Sequence, residues 1–169
     1  LLAAEGNLPV PATPIGRLAA ITPQEVSNYL AKIRDYDDAQ RPGIQTVQEK
    51  AWMKDVIHVA GGSSIPEDQS ISAKLDNYKT VIQDTFFGGR VFTFNKATTG
   101  PSTVITDALL SSLLKNGIGL LTYFGHGSSN NLAYNLPALE TWNNQEKYPL
   151  FVMLGCNVGN FFSNDVSRL

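Results

Sequence analysis

Apolar and polar positions recur along this chain with two different periods. Thr22-Pro23-Gln24-Glu25 places a hydroxyl three residues ahead of a glutamate, with proline at the first helical position, the pattern of a capping box. Val26, Tyr29, Leu30 and Ile33 follow at helical spacing and predict a helix running to about Asp37. Arg41-Pro42-Gly43 breaks that pattern, and the stretch to Lys54 is ambiguous. Val56-Ile57-His58-Val59-Ala60 reads as a short strand stopped by Gly61-Gly62-Ser63-Ser64. Pro66 opens a second helix with Ile71, Leu75, Tyr78 and Ile82 on one face. Gly88-Gly89 turns into Arg90-Val91-Phe92-Thr93-Phe94, an alternating strand expected at a sheet edge. Pro101-Ser102 predicts the start of a third helix through Ile105, Leu109 and Leu113, closed by Asn116-Gly117.

Two further segments, Ile118 to Phe124 and Leu150 to Leu154, are nearly continuous in apolar residues. Such runs are expected of parallel strands covered by helices on both faces, and the strand–helix alternation predicts an α/β layered fold with a mainly parallel sheet. Residues 1–17, with Pro9, Pro11, Pro14 and Gly16, read as a linker, which leaves 18–169 as one domain. The abrupt ends read as those of a piece of a longer protein, so a missing leader says nothing about export.

Composition narrows the classes. Of 169 residues, 43% are apolar and 17% charged, a globular rather than disordered balance. A net charge of −2 leaves no basic surplus for nucleic acid or anionic lipid. No apolar run has the length of a membrane span. The single cysteine excludes an intramolecular disulfide, and two histidines with one cysteine do not make up a zinc site of the usual Cys/His kind.

In open α/β sheets, sites form beyond the carboxyl ends of the strands. Three predicted strands end in polar, Gly-rich turns: Gly61 to Ser64, Gly125 to Asn131 and Gly155 to Asn160. His126 is flanked by glycine on both sides, with both ring nitrogens expected to be free for proton transfer. A loop histidine on its own more often just holds a turn. Cys156 follows an apolar strand and precedes an expected helix start, where a thiolate is stabilised. A lone cysteine is more often a small buried hydrophobe. The two on matching strand ends, each beside glycine, reverse both priors. The N–H groups of Gly127 and Cys156 are candidates for an oxyanion hole. His58, inside a strand, reads as a satisfied structural histidine. The Gly61–Ser64 turn lacks the lysine of a P-loop, and no Gly-x-Ser-x-Gly element follows a strand.

Tyr123-Phe124-Gly125-His126-Gly127-Ser128, Tyr148-Pro149-Leu150-Phe151-Val152 and Gly155-Cys156-Asn157-Val158-Gly159-Asn160-Phe161-Phe162 together resemble the His and Cys blocks of gingipain-type cysteine peptidases. Pro14-Ile15-Gly16-Arg17-Leu18 and Trp52-Met53-Lys54-Asp55-Val56-Ile57 are similar to earlier blocks of that family, in order. Asn143 to Pro149 and the Cys156 block look closest to the sortase-like branch tied to type IX secretion in Bacteroidota. The resemblance implies a caspase-like three-layer sandwich continuing past the Cys block, a nucleophile at Cys156 and a general base at His126. It further implies a polypeptide substrate, such as a C-terminal sorting signal, other type IX secretion components as partners, and an exported, cell-surface location. No cofactor is implied, although a structural calcium is compatible with the family. Gingipains place an acid in the turn after the first strand. Here that turn is Gly61-Gly62-Ser63-Ser64, with Glu67 and Asp68 nearby but expected inside the next helix, so no third catalytic member is visible in the sequence. The first reading is therefore a cysteine peptidase or transpeptidase. The alternatives are a catalytically silent caspase-like scaffold and a flavodoxin-like binder of a small molecule.

Overall fold

The computed structural model describes residues 16–41, 46–96, 98–100 and 102–160. Most of the linker predicted over 1–17, and Phe161-Phe162 at the end of the Cys block, lie outside the described residues. The chain divides into two compact units, residues 1–34 and 35–169.

Helix α1 spans Pro23–Gln40 and starts as the capping box predicts. The Glu25 N–H donates to Thr22 Oγ1 at 3.2 Å, and the Glu25 carboxylate accepts from the Ile21 N–H at 2.8 Å. The ambiguous stretch before the first strand holds a short, tight helical turn, Ala51–Lys54, with Trp52 buried.

Strand β1 (Asp55–Gly61) leads into helix α2 (Ile65–Ile82), then strand β2 (Arg90–Asn95). A two-residue strand β3 (Thr103–Val104) precedes helix α3 (Ala108–Asn116). Strand β4 (Leu120–Gly125), a two-residue strand β5 (Tyr134–Asn135) and strand β6 (Leu150–Leu154) complete the described elements. The main sheet has the order β2-β1-β4-β6, with every pairing parallel. Side chains alternate across it. Ile57, Val59, Leu121 and Tyr123 pack with Leu110, Leu113 and Leu114 of α3, whereas Ala60 packs with Ile71 and Leu75 of α2. The two helices thus cover opposite faces, giving the expected three-layer α/β arrangement.

Three expectations are corrected. The third helix begins at Ala108, not near Ser102. Asp107 caps it, accepting from the Leu109 N–H at 2.7 Å, while Thr103-Val104 stay extended and pair with β5. Strand β6 is not covered on both faces. It is the outer strand of the described sheet, and Leu150, Val152 and Leu154 are 65%, 39% and 47% exposed. α2 lies over β1, β2 and β4. On the other face, Trp142 stacks on Phe151 with centroids 6.0 Å apart.

His58 is the third correction. It is buried on central strand β1, but its Nδ1 has no hydrogen-bond partner among the described residues. Burial lowers its pKa, outweighing the attraction of Asp76. A depressed histidine pKa means that below about pH 6.5 the unfolded chain takes up a proton that the folded one refuses. Stability is expected to fall with acidification in that range, with a slope of up to about 1.4 kcal/mol per pH unit from this residue. Urea midpoints of wild type and His58→Leu between pH 7.5 and 5.5 check this; the variant is expected to have the shallower slope.

Candidate active site

Parallel pairing in register carries three turns to one edge of the sheet. Gly61 is paired with Gly125 across β1 and β4, and Phe124 with Leu154 across β4 and β6. His126 and Cys156 therefore each lie two residues past a matched pair, on neighbouring strands.

The backbone of His126 is fixed from three directions. Its N–H donates to the Gly61 carbonyl at 2.9 Å. Its carbonyl accepts from Tyr123 Oη at 2.5 Å and from the Ala133 N–H at 2.9 Å. Tyr123 is fully buried, and burial raises its phenol pKa, which keeps the O–H a donor. Gly125 and Gly127 serve close approach rather than unusual dihedrals, since neither adopts a left-handed φ. A methyl group on Gly125 would run into the Gly61 carbonyl. One on Gly127 would lie 2.9 Å from Val158 Cγ2 and 3.3 Å from the Cys156 carbonyl oxygen. The His turn and the Cys turn are thus packed together.

The imidazole is not free at both nitrogens. Its Nε2 stands 2.8 Å from Glu67 Oε1. Glu67 lies in the first turn of α2, capped by Ser64, and its carboxylate folds back over the start of the helix. There Oε2 accepts from Ser63 Oγ at 2.5 Å and from the Ser63 N–H at 2.8 Å. The Ser63 hydroxyl, the Ser63 N–H and then His126 hold the Glu67 carboxyl down at about 2. An ionised carboxylate only accepts hydrogen bonds, so Nε2 carries the hydrogen and the lone pair of the neutral ring sits on Nδ1. Glu67 thus supplies beside His126 an acid that the Gly61–Ser64 turn itself lacks. It comes from inside the helix rather than from the turn, and the signal for it is Ser64-Ile65-Pro66-Glu67, a capping box directly after a strand.

Cys156 sits in a hydrogen-bonded turn over 156–159, and its thiol is exposed and unpaired. The helix expected to start after it runs into residues outside the described ones. It makes no hydrogen bond to His126. Asn157 takes a left-handed φ of 58°, which asparagine tolerates better than most residues, and its carbonyl accepts from the Asn160 N–H at 3.1 Å. The N–H groups of Gly127 and Cys156 donate to no described group. No group of three or more acidic, histidine or cysteine side chains converges among the described residues.

A family model described as peptidase family C25 matches residues 3–168. The chain belongs to peptidase family C25, the gingipain family of cysteine peptidases, and its mixed α/β architecture with a parallel four-stranded sheet agrees with a caspase-like fold. No curated protein and no solved structure matches the chain.

In a Glu67→Gln variant, the two Ser63 donors are expected to hold the amide oxygen, turning the NH2 group toward His126 Nε2. Nε2 must then accept, and the ring hydrogen moves to Nδ1. The 15N spectrum of His126 is expected to change from the Nε2–H to the Nδ1–H tautomer. An unchanged spectrum would show that Glu67 does not set the ring.

Proposed function

We propose that this C25 domain is an endopeptidase in which Cys156 is the nucleophile and His126 the general base. The observation that carries this reading is the register match, which sets the two residues side by side on adjacent strand ends, with the basic nitrogen of His126 left free by Glu67. Nδ1 takes the thiol proton as Cys156 Sγ attacks the scissile carbonyl. It then gives that proton to the leaving amine, and water releases the acyl group. The unengaged N–H groups of Gly127 and Cys156 are suited to hold the oxyanion. Catalytic hydrogen bonds in unliganded enzymes are often loose, so the lack of a His126–Cys156 bond does not oppose the pairing.

The substrate is a polypeptide. An exported setting, and cleavage of sorting signals on type IX secretion cargo with transfer to an amine in place of water, rest on the residue resemblance around Asn143–Pro149 and Cys156.

A thiol-reactive peptide probe tests the proposal. Wild type is expected to label at neutral pH and Cys156→Ala not at all. His126→Ala is expected to label roughly 100-fold or more slowly. Equal labelling of wild type and Cys156→Ala, or none of either, would favour the silent scaffold.

A further inference from the structure

Two charged side chains that touch neither Cys156 nor the imidazole are buried beside the turn that serves them. Lys96, the first residue after β2, is 2% exposed, and Asp68, next to Glu67 on α2, is 5% exposed. Burying such groups is costly unless each is hydrogen-bonded. Their partners are peptide groups of the Gly61–Ser63 turn. The Gly62 N–H donates to Asp68 Oδ1 at 3.0 Å, and Lys96 Nζ donates to the Gly62 carbonyl at 3.4 Å and to the Gly100 carbonyl.

A trans peptide is planar, with its C=O and N–H pointing in opposite directions, so fixing one end aims the other. The peptide joining Gly61 to Gly62 gives its N–H to Asp68, and its carbonyl accepts from the His126 N–H. The next peptide, joining Gly62 to Ser63, turns its carbonyl to Lys96 and its N–H to Glu67. Each plane thus has a buried side chain at one end and a member of the site at the other. The second plane lies with its dipole between the positive charge of Lys96 and the negative charge of Glu67, an arrangement that a flipped peptide would reverse.

We propose that Lys96 and Asp68 are positioning residues that set two successive peptide planes, through which they hold the His126 backbone and the Glu67 carboxylate in working orientation. This rests on reading His126 as the proton-transfer group. Neither side chain contacts substrate. Their loss is expected to act on turnover rather than on binding.

Amide hydrogen exchange on the unaltered protein provides the first test. The Gly62 and Ser63 amides, although in a turn at the sheet edge, are expected to exchange at least about 100-fold more slowly than unstructured amides. Free exchange at both overturns the proposal, whatever any variant does. In Lys96→Met, kcat on a peptide substrate is expected to fall about tenfold with KM within about twofold, and the Nε2–H tautomer of His126 to lose population. Asp68→Asn keeps an oxygen toward the Gly62 N–H and is expected to retain activity that Asp68→Ala loses. A folded Lys96→Met protein with unchanged kcat and an unchanged His126 15N spectrum overturns the proposal. If Lys96→Met does not fold, exchange in the wild type decides. Failure of the peptidase reading is seen separately, as probe labelling indifferent to Cys156→Ala, while the exchange and tautomer measurements still judge the positioning role.

Discussion

The parallel, in-register pairing of β1, β4 and β6 is the constraint from which the other features follow. Because Gly61 opposes Gly125 and Phe124 opposes Leu154, three turns emerge from one edge at equal height. An antiparallel β4, or a slip by one residue, would send His126 to another face or another edge. The same parallel topology forces a helix to follow β1, and the start of α2 therefore lands beside the His126 turn. A carboxylate in that first turn needs no loop of its own to reach the ring. Ser64 caps the helix by accepting from the Glu67 N–H, and Ser63 just before it holds the carboxylate through its N–H and hydroxyl.

Much of this was legible from residue order. α1 is capped by Thr22 and Glu25 as its motif requires, and β1, β2 and β4 fall within a residue or two of their apolar runs. The misreadings have physical causes. Apolar character in Leu150–Leu154 reports that a strand belongs to a sheet, but not whether a helix reaches both its faces. Thr103–Ile105 carried helix-compatible spacing, yet its β-branched residues pair with a strand some thirty positions later, a contact that local pattern does not contain. In the sequence, Glu67 reads as a helix residue and not as part of the Gly61–Ser64 turn. Helix geometry was the missing step, since a side chain at the third helical position can bend back over the helix start and act as a turn residue would.

Polar groups withdrawn from water mark where this fold gives up stability. Lys96 and Asp68 are compensated by peptide groups, whereas His58 Nδ1 and its register neighbour Thr93 Oγ1 have no partner among the described residues. At the opposite end of the sheet the arrangement is conventional. Arg90 clasps Asp55 through two bonds of 2.7 and 2.8 Å and ties the starts of β1 and β2 together. The sheet is therefore anchored at one end by the exposed Arg90 on the buried Asp55, and carries the buried Asp68 and Lys96 at the other.

The depressed pKa of Glu67 separates anchoring from titration. A carboxyl whose folded value lies near 2 gives its support in full above the ordinary carboxylate range and gives it up only as pH falls toward that folded value. Across the whole interval in which an imidazole and a thiol exchange protons, Glu67 is then a constant charge. The contact that aims the His126 ring is thereby indifferent to the medium throughout the neutral range.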